Sequence, residues 1–162
     1  MSQVMYFPND VFLPFVLDEL RQAPDKTAII NLRGNSMRPF LKNERDKALL
    51  ALPKEPCRKG DAVLAEVSPK HFVLHRIVDI DGYNVTLRGD GNLSEEHCKL
   101  DDIRAKAVGF LRKGRTTPDL TTGHKWRFYS WLWTRLYPIR RYLLFALHPH
   151  IPQSLKPRHK KK

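Results

Sequence analysis

The sequence predicts a mainly β protein: a coiled, barrel-like sheet of short strands, one helix in front of it and a basic, aromatic helical extension behind it. Three observations carry this. Between residues 27 and 111, short runs rich in β-branched and apolar residues recur, with breaks at Pro53, Pro56, Gly60, Pro69, Gly82, Gly89 and Gly91. Before them lies one segment with helical periodicity. After residue 123 the composition changes to aromatic residues interleaved with arginine.

In chain order, Asn9 or Asp10 can cap a helix running to Gln22, with Val11, Phe12, Phe15, Val16 and Leu20 on one face. Pro14 falls in its first turns, where proline is tolerated, and Ala23-Pro24-Asp25 ends it. Residues 27–32, 46–52, 62–67, 72–80, 83–88 and 106–111 read as strands, and Asp81-Gly82 signals a hairpin between two of them. Many short strands behind a single helix favour a curled sheet over a helical bundle or a doubly wound fold. The expected division is a β-rich domain at 1–115, a polar linker at 116–123, a basic helical extension at 124–148 and a disordered Lys/Pro tail at 149–162. Pro138 breaks the extension into two short helices.

Charge is divided as sharply as composition. Residues 1–111 are neutral, and the whole +12 excess of the 162-residue chain sits in residues 112–162, whose one acid is Asp119. A neutral body with a cationic end suits a protein whose end meets phosphates while its body does something else. Cys57 and Cys98 are far apart and in no metal-ligand spacing, so no metal, cofactor or disulfide framework is expected. No signal peptide is legible at the N-terminus and no apolar run is long enough to span a bilayer, so the expected location is cytoplasmic, with peripheral membrane contact through the basic end.

The candidate chemistry centres on Gly34-Asn35-Ser36-Met37-Arg38-Pro39, a turn that follows the first strand-like run. Read alone, Gly-Asn-Ser is also an ordinary surface turn. A serine nucleophile needs a base within hydrogen-bond reach and donors for an oxyanion. His75, in the middle of the run 72–80, is the histidine best held for that work. His71, four residues away, is separated from it by about 13 Å of strand, which excludes a shared metal. Gly89-Asp90-Gly91-Asn92 forms a tight turn after a strand and can aim a carboxylate back at the sheet.

Together these segments resemble the signal peptidase I superfamily, which includes leader-cleaving signal peptidases and self-cleaving SOS-type repressors. Ser36-Met37-Arg38-Pro39 resembles its Ser-Met-x-Pro box, Lys59-Gly60-Asp61-Ala62-Val63 its Gly-Asp-x-Val strand start, and Gly89-Asp90-Gly91-Asn92 its Gly-Asp-Asn-Asn box. Leu74-His75-Arg76-Ile77-Val78 is similar to the His-Arg-Val segment of the endoplasmic-reticulum and archaeal branch, and Glu95-Glu96 stand where that branch often has paired aspartates. The resemblance covers about residues 27–112. It implies a signal-peptidase-type catalytic domain of coiled sheets, with Ser36 as nucleophile, His75 as general base and Asp90 as acidic partner. The Ser36 backbone N–H would be one oxyanion donor, and Met37 and Pro39 would shape the loop. Gly34 stands where many bacterial members carry a second serine, which leaves Asn35 as a candidate second donor.

The expected function is a serine endopeptidase that cleaves a leader or signal-like peptide held extended along a strand edge. The alternative is a non-catalytic peptide-binding module with a membrane- or nucleic-acid-binding tail. Within that tail, Trp126, Trp131, Trp133, Arg135, Arg140 and Arg141 are expected to face a membrane, because the leucines around them add more apolar area than tracking a nucleic-acid backbone needs. A third option is that the same helices pack on the body.

Overall fold

The computed structural model describes residues 9–23 and 25–147. Three α-helices, α1 (Asn9–Gln22), α2 (His124–Arg135) and α3 (Arg140–Leu147), flank one antiparallel sheet. Its strands are β1 (Ala28–Asn31), β2 (Lys47–Ala51), β3 (Ala62–Ser68), β4 (His71–Asp81), β5 (Asn84–Arg88), β6 (Glu96–Lys99), β7 (Ile103–Leu111) and β8 (Asp119–Leu120). Their order is β1-β2-β7-β3-β4-β5-β6, with β8 attached to β7. The mainly β expectation holds, but the sheet does not close into a barrel: β1 and β6 are free ends of the order.

Side-chain alternation explains how one sheet serves two cores. Along β3, Ala62 and Leu64 enter a cluster with α1, β1 and Trp126, while Val63 and Ala65 enter a second with Ile77, Val85, Leu87 and Cys98. Successive strand residues point to opposite faces, so a strand buried on both sides reads as a continuous apolar run. The register slips once in β2–β7, β3–β7, β3–β4 and β4–β5, and such bulges bend and coil a sheet.

Two strands fall outside the sequence-based expectation. Glu96-His97-Cys98-Lys99 carries little apolar signal, yet it pairs with β5 as the edge strand β6, where charged residues are tolerated and discourage further pairing. The expected linker at 116–123 contains β8, which pairs Asp119 with Phe110 and Leu120 with Gly109. The expected disordered tail at 149–162 lies outside the described residues.

The C-terminal helices are part of the body. Trp126 is buried against Phe110, with ring centroids 4.6 Å apart, and its edge meets Phe40 at 5.0 Å. Tyr129 stacks on Phe40 at 4.1 Å. The expectation that Trp126, Trp133 and Arg140 face a membrane is therefore overturned, since all three are buried. Trp131 and Arg135 are exposed, and the Arg141 side chain lies outside the described residues. The aromatic periodicity of α2 had two destinations: a tryptophan can fill a core or meet a lipid interface, and composition alone does not separate them.

Replacing Trp126 by Ala is expected to cost about 3–5 kcal/mol in denaturant-unfolding free energy, as large buried aromatics do. Phe128→Ala, on the outer side of the same helix, should stay within about 0.5 kcal/mol. Equal effects of the two changes would mean that α2 does not belong to the core.

Candidate active site

The site forms where the chain leaving β1 crosses the turn leaving β5. Gly34 starts the crossing with φ of +90°, a conformation that glycine adopts without Cβ strain, and its N–H donates to Asn43 Oδ1 at 2.8 Å. Met37 is buried in the core beneath the loop, next to the half-buried Ser36. The Gly91 N–H donates to the Ser36 carbonyl oxygen at 2.6 Å. The Ser36 loop and the Gly89–Gly91 turn are thus tied backbone to backbone.

Gly89 sits at the centre of this contact. A Cβ there would collide with the Ser36 carbonyl oxygen and stand 3.0 Å from both the Ser36 Cβ and the His75 Nε2. Two consequences follow: only glycine allows this approach, and the Ser36 Cβ and His75 Nε2 lie no farther apart than twice that distance.

His75 is held from the other side of its ring. Its Nδ1 donates to Glu96 Oε2, and because a carboxylate can only accept, this bond puts the hydrogen on Nδ1 and leaves Nε2 as the accepting nitrogen of the ring. Burial pushes the His75 pKa below the ordinary imidazole value, the nearby Glu96 charge and hydrogen bond oppose this, and Asp90 adds a smaller upward pull. The net result is an imidazole that stays neutral, and so able to accept a proton, below the pH at which a free one would charge.

Asp90 is not the carboxylate bonded to His75. It is fully buried, and Arg76 takes both of its oxygens, with Nε to Oδ1 at 2.9 Å and Nη2 to Oδ2 at 2.7 Å. The fork of a guanidinium fits a carboxylate in this two-point way. The Asp90 carbonyl accepts from Trp133 Nε1 at 2.9 Å and from Arg140 Nη2 at 2.6 Å. Tyr129 Oη donates to Asp90 Oδ2 at 3.3 Å, and burial together with the Asp90 charge pushes its phenol pKa upward. Burial disfavours the Arg76 charge, but Asp90 more than offsets this and raises its pKa.

The paired acids expected near residue 95 divide their roles. Glu95 pairs with the buried Arg88, whose guanidinium lies over the Tyr137 ring at 3.7 Å, and Glu96 goes to His75. The assignment of the His75 partner to Glu96 could not be read from spacing, because it depends on β6 pairing with β5 and Glu96 falling opposite Leu87. The only sequence signal was the presence of the two glutamates themselves. Asn35 is exposed and its carbonyl accepts from the Arg38 N–H at 3.1 Å; the Arg38–Pro39 peptide is cis.

Ser36, His75 and Glu96 open together into a cleft of about 380 Å³ lined by Ile29, Ile30, Leu32, Phe72 and Leu74 among others. Its walls are two strand edges. Among the described residues β1 pairs only with β2, and β5 pairs with β4 no further toward the N-terminus of β4 than Arg76, so the start of β4, through His75, has one unpaired edge. The cleft lies between β1 and this edge of β4. No protein-family model, curated protein or solved structure matches the chain.

Gly89→Ala should displace the Ser36 loop, which is read as a shift in the His75 imidazole resonances and a lowered unfolding midpoint. Gly82→Ala, in an open hairpin at φ of +57°, should cost about 1–2 kcal/mol and leave those resonances in place. Unmoved His75 signals in the Gly89 variant would contradict the close approach.

Proposed function

We propose that the chain is a serine endopeptidase of signal-peptidase type, in which Ser36 is the nucleophile, His75 the general base and Glu96 the group that orients the base. The observation that carries this reading is the His75 ring, bonded at Nδ1 to Glu96 with its Nε2 and the Ser36 Cβ both 3.0 Å from the Cβ position of Gly89, in a cleft bounded by two strand edges that are unpaired among the described residues. Asp90, the expected acidic partner of His75, takes instead the role of anchoring the turn that carries the Gly89–Ser36 contact.

A peptide in extended conformation fits the cleft, since β1 on one side and the start of β4 on the other offer backbone donors and acceptors. Ser36 Oγ attacks the scissile carbonyl carbon as His75 Nε2 takes the hydroxyl proton. The resulting oxyanion meets the Ser36 backbone N–H. His75 then gives its proton to the leaving amine, which departs with the C-terminal fragment, and a water activated by the same nitrogen hydrolyses the ester on Ser36. Glu96 stabilises the imidazolium formed in both half-reactions. The apolar lining from Ile29, Ile30, Leu32, Phe72 and Leu74 favours an apolar, leader-like substrate segment.

Two variants test this reading on a quenched-fluorescence library of apolar peptides. Ser36→Ala should reduce turnover to the uncatalysed level while leaving the unfolding midpoint within a few degrees of wild type; retained turnover would end the proposal. Glu96→Gln should lower kcat by about 10²–10⁴-fold, because the neutral amide no longer stabilises the imidazolium or fixes its tautomer.

The pH dependence has a defined sign. His75 must be neutral, and its pKa is lowered from 6.5, so the acid limb of kcat/KM should have its midpoint below that value. For the same reason, folding stability should fall as pH drops below about 6.5, because the unfolded chain takes up a proton there that the folded chain does not. The Glu96→Gln limb should lie lower still, since the upward pull on His75 is gone. A wild-type midpoint above 6.5 would contradict the assignment of His75 as base.

A further inference from the structure

The helix that closes the core carries a second apolar face that is exposed among the described residues. On α2, Trp126, Ser130 and Trp133 are buried, and by the helical repeat Phe128, Trp131, Leu132 and Arg135 lie on the opposite side. Phe128 is 63% exposed, Trp131 56% and Leu132 37%. A water-facing helix face is ordinarily polar, and side-by-side exposed aromatics are uncommon unless something binds them. The Phe128 and Trp131 rings are 6.2 Å apart, and the Arg135 guanidinium lies 5.6 Å from the Trp131 ring.

Charge identifies the occupant. The exposed Arg127 and Arg135 flank this face, with Lys125 beside it 3.6 Å from Asp119; the helix contains no acid, and none follows Asp119 to the end of the sequence. Aromatic and leucine side chains flanked by cations suit the boundary of a bilayer whose headgroups are anionic: the rings enter the acyl border and the cations stay at the phosphates. No helix among the described residues is long and apolar enough to cross a membrane, so contact would be made with α2 lying in the plane of the surface. We infer that the outer face of α2, centred on Phe128, Trp131 and Leu132, docks this protein on an anionic phospholipid membrane. The opposite face of the same helix is fixed to the body, with Trp126 in the core and Trp133 on the Asp90 carbonyl, so docking requires no unpacking. This inference does not rest on the chemistry at Ser36.

The test uses the full chain with vesicles of phosphatidylcholine alone and of phosphatidylcholine mixed with phosphatidylglycerol. Wild type should sediment with the mixed vesicles, release as salt is raised, and show a blue shift of tryptophan emission on binding. The double variant Phe128→Ser, Trp131→Ser should bind at least about ten-fold more weakly and lose the blue shift, with an unchanged unfolding midpoint showing that the fold is intact. Vesicle binding by the double variant equal to wild type would overturn the inference and assign attachment to another basic part of the chain. Equal binding to neutral vesicles would overturn it as well, as would preference for a single-stranded oligonucleotide or self-association lost in the double variant.

Discussion

The buried Asp90 carboxylate and its guanidinium partners are the interaction on which the rest of the site depends. Two charged side chains enter the interior only when their hydrogen-bonding capacity is met, and removing one partner leaves an uncompensated buried charge. Arg76 meets both Asp90 oxygens and then reaches on to the Gly60 carbonyl at 2.8 Å and to Ser130 Oγ. One guanidinium therefore joins β4, the turn after β5, the turn before β3 and α2. The neighbouring Gly91 N–H holds the Ser36 carbonyl, so the geometry around Ser36 is set by a buried ion pair that does not itself touch the cleft.

This arrangement gives the C-terminal helices a structural task. Trp133 and Arg140 both donate to the Asp90 carbonyl, and Tyr129 joins α2 to the carboxylate below it. A turn with two glycines is costly to order, and three side chains from the helical segment hold it. The inner face of α2 supports the site, while its outer face carries the exposed rings, so the helix is amphipathic in an unusual sense: apolar on both sides, with cations at the borders of the outer one.

How much of this was legible in the sequence follows from what each element depends on. The helix at residues 9–22 and the hairpin at Asp81-Gly82 were readable because periodicity and turn chemistry are local. The strand pair β5–β6 was not, since Glu96-His97-Cys98-Lys99 is strand only by virtue of its neighbour, and with it went the His75–Glu96 bond. Asp90 was readable as a site residue but was given the wrong partner: from sequence, the imidazole at His75 and the guanidinium at Arg76 are adjacent, and strand alternation sends them to opposite faces. Asp90 lies on the Arg76 face and Glu96 on the His75 face. The closed barrel failed for a related reason: β1 and β6, the two ends of the strand order, do not pair with each other among the described residues, and pairing between distant strands leaves no local trace.

The central claim is that Ser36 is a nucleophile activated by His75. A fluorophosphonate probe reports this directly, since it reacts with a serine only where a base and oxyanion donors activate the hydroxyl. Incubated with the full chain at neutral pH and mapped by peptide mass spectrometry, the probe should label Ser36 and no other serine, and labelling should be lost in His75→Ala. Absence of label on Ser36 in the folded protein, or equal labelling with and without His75, would contradict the account.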